Sequence, residues 1–251
     1  MIKSILHLLR LIGNKAFPFR STQLLLLSFL ISCTPQDLQN VLGGTGPLSN
    51  EEVVAGLREA LRVGAQRGVD KASVTEGFWK DPRIKIPFPP EAIKVKNTLL
   101  QIGMTQQVED FERTLNKAAE TAAREAVPVF VDAITSLSIQ DGFTILRGGD
   151  RAATDLLRDR TQDQLRTRFM PVVKDATSAV ALTSYWQPLA SAYNTSTIFT
   201  GQQAVDPDLD AYVTQKALDG LFLLLAEEEK KIREDPIART TALLKRVFAQ
   251  Q

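Results

Sequence analysis

The chain has 251 residues, 30 basic against 29 acidic, with one histidine and one cysteine. Both singletons, His7 and Cys33, lie at the N-terminal end. Nothing beyond them can assemble a Ser–His–Asp or Cys–His catalytic site, or a zinc or other transition-metal site of the usual His and Cys ligands. An internal disulfide is excluded too, so a packed core must hold the fold together.

Residues 1–32 carry Lys3, Arg10, Lys15 and Arg20 and no acidic residue. An apolar run from Leu24 to Ile31 follows, then Ser32 and Cys33. A positive flank, a short apolar run and a small residue form an export leader. The run is too short to span a bilayer, which takes about 20 apolar residues. Leu30-Ile31-Ser32-Cys33 resembles the bacterial lipoprotein box. That resemblance implies cleavage between Ser32 and Cys33, with diacylglycerol on the Cys33 sulfur and usually an acyl group on the new amine. At about 0.8 kcal/mol per buried methylene, two or more chains hold a protein on a membrane. Thr34, in place of the Asp that favours inner-membrane retention, implies the periplasmic face of a Gram-negative outer membrane. The domain scheme is therefore a leader at 1–32, an acylated Cys with a flexible tether at 33–48, and a helical domain at 49–251. Losing the leader's four basic residues leaves 26 against 29 acidic, a formal charge of −3. With no basic stripe, nucleic acid is not an expected partner.

Thr34 to Leu48 is rich in Gly, Pro and polar residues and reads as the tether, able to extend roughly 3.3–3.6 Å per residue. Ser49-Asn50-Glu51-Glu52 fits a capping box. Val53, Leu57, Ala60, Leu61 and Gly64 then recur at helical spacing, with Gly68 as the stop. Arg83-Ile84-Lys85-Ile86-Pro87-Phe88 alternates charged and apolar residues and is the one extended piece; Pro87, Pro89 and Pro90 keep it out of a sheet interior. Ala92, Val95, Leu99 and Ile102 mark a second helix ending at Gly103. Val108, Phe111, Leu115, Ala118, Ala122, Val129 and Ala133 mark a long third, which Pro128 should kink or split. Ser138 starts a short helix closed by Gly148-Gly149. Asp150 caps the next, running through Leu157, Leu165 and Phe169 to about Val180 with a bend at Pro171. Thr183 to Asp208 is less regular. A strong helix resumes at Leu209, carries Val213, Ala217, Leu221 and Leu225, and ends in a charged surface with Glu227/Lys231 and Glu229/Arg233 four apart. Asp235-Pro236 restarts a last helix through Ile237, Thr241, Leu244 and Phe248. The fold class is all-α: a single bundle-like domain with at most one short extended segment near 83–88.

Several ordered runs carry a wider resemblance. They include Leu48-Ser49-Asn50-Glu51-Glu52; Ile84-Lys85-Ile86-Pro87; Asp110-Phe111-Glu112 with Asn116-Lys117-Ala118-Ala119-Glu120; Phe130-Val131-Asp132-Ala133-Ile134; Gly148-Gly149-Asp150 with Thr154-Asp155; and Tyr212-Val213-Thr214 through Phe222. These runs resemble an uncharacterised bacterial family, domain of unknown function 4197, from about Leu48 to Phe248. The resemblance implies an exported Gram-negative envelope protein and supplies no activity.

The residues left for chemistry or binding are polar groups beside apolar runs. Asp132, Asp219 and Glu227 each adjoin a strongly apolar stretch; turned inward, such a carboxyl would have a raised pKa suited to acid catalysis. The simpler reading makes them surface or paired acids. Lys85 sits between two isoleucines that pack inward while it faces out. Gly148-Gly149-Asp150 through Thr154 and Asp155 sets glycines before a helix N-terminus, where amides can hold an anion. Asp150 would occupy that end itself, and the Lys-Ser/Thr ending of a P-loop is missing. Asp206-Pro207-Asp208-Leu209-Asp210 offers alternate carboxylates to calcium but lacks an EF-hand loop; a helix-capping cluster is simpler. Trp79, Phe88, Tyr185, Trp186 and Tyr193 line a peptide or glycan groove or else cover the core. No cofactor is called for. Beyond the membrane itself, the expected partner is another envelope protein or a glycan. Two functions compete: a lipid-tethered binding or assembly module, and a His-free carboxylate enzyme acting on an envelope polymer or small molecule.

Overall fold

The computed structural model describes residues 48–90, 93–178, 208–235 and 245–247, with Trp186, Ser191, Asn194 and Thr195. All belong to the unit that begins at Leu48. Ser32, Cys33, the tether, Tyr185, Tyr193, Asp206, Pro207 and most of the expected last helix lie outside them.

Among the described residues the domain is built from helices without strands, in agreement with the all-α reading. Helix α1 is Asn50–Ser73, α2 Ile93–Gln101, α3 Thr105–Ala123, α4 Ala126–Thr135, α5 Ile139–Arg147, α6 Ala152–Ser178 and α7 Leu209–Glu234. Helix α7 is the hub, packed on α1, α3 and α6. Phe78, Phe111, Phe130, Phe169 and Phe222 are fully buried within one core, and Phe130 meets Phe222 edge-on at 5.8 Å.

The start of α1 follows its sequence signal: the Ser49 hydroxyl accepts from the Glu52 amide and the Glu52 carboxylate from the Ser49 amide. Its end does not. The helix runs past Gly68 to Ser73, because Gly68 is used for approach: a Cβ there would sit 3.5 Å from the Leu225 backbone nitrogen. The helix expected from Val108 to Ala133 is split into α3 and α4 at Arg124–Glu125. Pro128 explains the position, since a proline clashes with the carbonyl four residues back but is tolerated in a helix's first turn. Ser138 caps α5 through a second reciprocal pair with Asp141.

Other expectations need correcting. Val95 and Leu99 of α2 pack on the core half-buried, but Ile102 is 66% exposed. Asp150 does not cap α6. The amides of Ala153 and Thr154 donate to Glu229 of α7 at 3.0 and 2.8 Å, and the Thr154 hydroxyl joins them at 2.7 Å. Nor is Glu227 to Arg233 a uniform charged surface, for Glu228 and Glu229 are buried. Adjacent helix positions face different ways. Accordingly Glu227 pairs with Arg83, Glu228 with Lys71 and Lys231, and Glu229 with Arg233 and the start of α6.

Candidate functional site

Residues 76–88 connect α1 to α2 without regular structure for most of their length, yet Phe78, Ile84, Ile86 and Phe88 are buried. Their amides therefore need partners inside the protein. The Ile84 amide donates to the Asp81 carbonyl at 3.1 Å, and helix α3 provides for the other three from Glu112, Asn116 and Glu120, spaced four apart on one face. Glu120 accepts from the amides of Glu76 and Phe78 at 3.2 and 3.1 Å. Asn116 accepts from the Ile86 amide and donates to the Ile86 carbonyl, both at 2.8 Å. Glu112 accepts from the Phe88 amide at 3.1 Å and from Lys96 at 2.6 Å. This side-chain ladder does for the segment what a neighbouring strand would do.

Gly220 of α7 stands on the other side. A Cβ there would lie 2.8 Å from the Phe78 ring and 3.1 Å from the Ile84 Cβ. Clamped between α3 and α7, the segment holds Arg83 and Lys85 beside Arg151, just before α6, Arg158 of α6, and Lys216 and Asp219 of α7. Together these residues line an open groove of about 320 Å³, with Ile84, Pro87, Gly220 and Leu223.

The groove is basic, and its arginines are held in place. Arg83 donates to Asp81 through Nε at 2.8 Å and Nη2 at 2.5 Å, and to Glu227. Bonds to these carboxylates hold the Arg83 guanidinium above its ordinary pKa, and the bond to Arg83 holds Asp81 below the usual carboxylate range. Arg158 donates to Asp219 at 3.3 Å and lies over the Phe222 ring at 4.5 Å; Asp219 also accepts from Gln215. Arg151 pairs loosely with Asp155 at 3.7 Å. The lysines differ: the Lys85 ammonium lies 3.5 Å over Trp79 and that of Lys216 5.9 Å from the Tyr212 ring. Among the described residues, neither has a carboxylate within ion-pair distance.

Trp79 also lines a second hollow of about 280 Å³ with Glu76, Arg113, Lys117, Glu120 and Arg124. Its charges are more nearly balanced: Arg113 lies between Glu109 and Glu76, and Glu120 bonds the backbone.

Of the residues singled out in the sequence, Lys85 and Asp219 line the groove, while Glu227 and Asp155 flank it through Arg83 and Arg151. Thr154 is buried against Glu229. Asp132 and Asp150 are exposed and do not join them. Phe88 and Trp186 belong to the core, where Phe88 packs on Phe111 at 4.9 Å and edge-on to Trp186 at 6.2 Å. Asp208 caps α7 by accepting from the Ala211 amide, and Asp210 accepts from Thr177, as the capping alternative to calcium had it. Among the described residues no cluster of three or more His, Cys, Asp or Glu is arranged to hold a metal. Sequence reasoning missed Arg83, Arg151, Arg158 and Lys216, and the buried Glu112, Asn116, Glu120, Glu228 and Glu229. For the α3 ladder a signal existed, in the four-residue spacing beside Phe111, Leu115 and Ala119.

No curated protein and no solved structure matches the chain. The family described as "Protein of unknown function (DUF4197)" matches residues 47–249, nearly the whole of the helical domain and its approach. The chain belongs to that family.

Proposed function

We propose that the protein is a lipoprotein of the cell envelope, held at the periplasmic face of the outer membrane through acylated Cys33, whose helical domain binds an anionic envelope component. The groove is the observation that carries the binding role: its lining brings together Arg83, Lys85, Arg151, Arg158 and Lys216 against Asp219. Arg83, Arg151 and Arg158 are paired with carboxylates of the fold, and Lys85 and Lys216, without an ion partner among the described residues, leave positive charge that an anion would offset. The buried acids favour binding over carboxylate catalysis. Glu112, Glu120 and Glu229 direct their oxygens at backbone amides and cations that the fold itself supplies.

The test uses the full chain in cells, with a photo-crosslinking residue at position 216 or, as a control, at Lys117 in the second hollow. An adduct formed from 216 and not from 117 supports the binding module; equal labelling, or none from 216, overturns it. Cys33→Ser tests the tether separately. The expected result is an uncut precursor and loss of the acylated form, whereas cleavage at the same bond with continued membrane partition overturns lipidation.

A further inference from the structure

The groove's donors carry more information than their charge. Arg83 is largely used up by Asp81 and Glu227. Arg158 directs one nitrogen at Asp219 and keeps further N–H groups of its five. Lys85 and Lys216 each bring an ammonium with three donors and no carboxylate partner among the described residues. These unused donors come from three separate elements: the 76–88 segment, α6 and α7.

That arrangement discriminates between anions. A carboxylate is planar and is best matched by one arginine fork. Here the arginines are already engaged by carboxylates, and the positive charge without an ion partner among the described residues sits on two lysines, Lys85 over the Trp79 ring and Lys216, which act as point charges. Point charges on different walls suit an anion with three or more oxygens directed outward from one centre. They also favour a double negative charge, one unit for each lysine that has no ion partner among the described residues. The opening is at the small end of ligand pockets, about 300–1,000 Å³, which admits a headgroup or small ester and not a duplex.

We infer that the groove formed by Lys85, Arg158 and Lys216 is a phosphate-recognition site, taking a phosphomonoester or pyrophosphate group. This inference rests on the binding-module reading above and names the ligand chemistry of that same site. The group can be free in solution or carried on a lipid headgroup at the membrane surface.

The experiment titrates the full chain, in detergent micelles, with inorganic pyrophosphate and with citrate. The readout is fluorescence from Trp79, beside Lys85; the one other tryptophan, Trp186, is in the core. In parallel, the same fluorescence is followed as the micelles are doped with phosphatidic acid or, as a control, with phosphatidylcholine. Pyrophosphate should bind well ahead of citrate, and Lys85→Met and Lys216→Met should each weaken it about tenfold or more, as expected for a lost charge-assisted hydrogen bond. Lys117→Met, in the second hollow, should leave it unchanged. Lys216→Glu, with an unchanged melting temperature, should abolish binding.

A response to phosphatidic acid in the micelle without one to soluble pyrophosphate supports the site and assigns the lipid-borne source; a response to pyrophosphate without one to phosphatidic acid assigns the soluble one. Three results overturn the inference: no binding of either phosphate form, citrate binding as tightly, or binding undiminished by both lysine substitutions. Position-216 adducts that persist in cells alongside any of these would overturn the phosphate assignment alone and leave the binding module standing.

Discussion

Glu112, Asn116 and Glu120 commit their polar atoms to the backbone of residues 76–88, while Lys85, Arg158 and Lys216 line the groove beside the same segment and keep donors open to solvent. One set of polar groups is buried and satisfied; the other is half-buried or exposed, and among the described residues the two lysines have no carboxylate partner. A buried amide without a partner costs about 1–3 kcal/mol, so the α3 ladder is demanded by folding. No such demand explains two neighbouring lysines, since surface charges contribute little to stability. The difference separates polar groups that the fold requires from those it merely positions.

The ladder gives the largest expected effect. Asn116→Leu keeps the size but leaves the Ile86 amide and carbonyl unpaired in the core. It should cost about 2–4 kcal/mol, read as a fall in urea midpoint. Asn116→Asp keeps the acceptor for the amide but sets a buried carboxylate against the Ile86 and Glu112 carbonyls. It should cost at least as much at pH 7 and less in acid, where the carboxyl regains a proton to donate. A loss below about 1 kcal/mol for Asn116→Leu would mean that apolar packing, not the ladder, seats the segment. The opposite jaw comes next. Gly220→Ala drives a methyl into the Phe78 ring and Ile84, whose positions the ladder prevents from yielding freely. Overpacking of this kind costs about 1–3 kcal/mol, and here it should also weaken anion binding by displacing the groove's floor.

Helices and their caps were legible because their signals are local: Ser49 with Glu52, Ser138 with Asp141, and apolar residues three and four apart. Polar burial was less legible, for a physical reason. Asp132 was singled out because apolar residues adjoin it in sequence, yet on a helix adjacent residues face different directions, and Asp132 is exposed. Glu112, Asn116 and Glu120 were the better candidates because residues four apart share a face with Phe111, Leu115 and Ala119. Gly68 misled in the same way: a glycine in a helix reads as a stop, but here it admits α7, a tertiary event with no local mark. The groove had no local signal, since its cations come from three elements and only Lys85 and Asp219 were singled out.

A buried acid on the side of α7 that meets α1 sharpens the comparison through pH. Burial pushes the Glu228 carboxyl up, but bonds and charge from Lys71 and Lys231 outweigh it and hold the group below the ordinary range; Arg67 lies 4.0 Å away. A carboxyl depressed on folding contributes stability that is full above its unfolded pKa, about 4.3, and is lost as pH falls through the folded value. Glu228→Gln should therefore cost about 1–2 kcal/mol at pH 7 and less as the pH drops below 4. The readout is the difference in urea midpoint between variant and parent at each pH, since Asp81 and Asp141 are also depressed and add to the parent's own acid loss. A difference that does not shrink with acid would mean that Glu228 contributes by packing and not by its charge.

The smallest expected effect on stability falls on Lys216, which is exposed and has no carboxylate partner among the described residues. Lys216→Ala should change stability by less than about 0.5 kcal/mol, and the sign is informative. Lys216 lines the same groove as Arg83, Lys85, Arg151 and Arg158, so removing one like charge should be neutral or slightly stabilising, more so at low ionic strength. The check is thermal melting of parent and variant at low and high salt. Destabilisation beyond about 1 kcal/mol would show that Lys216 makes a contact the fold depends on, and the groove would then belong with the ladder. Stabilisation that fades as salt is added would show cations held against their mutual repulsion, as a site arranged for an anion requires.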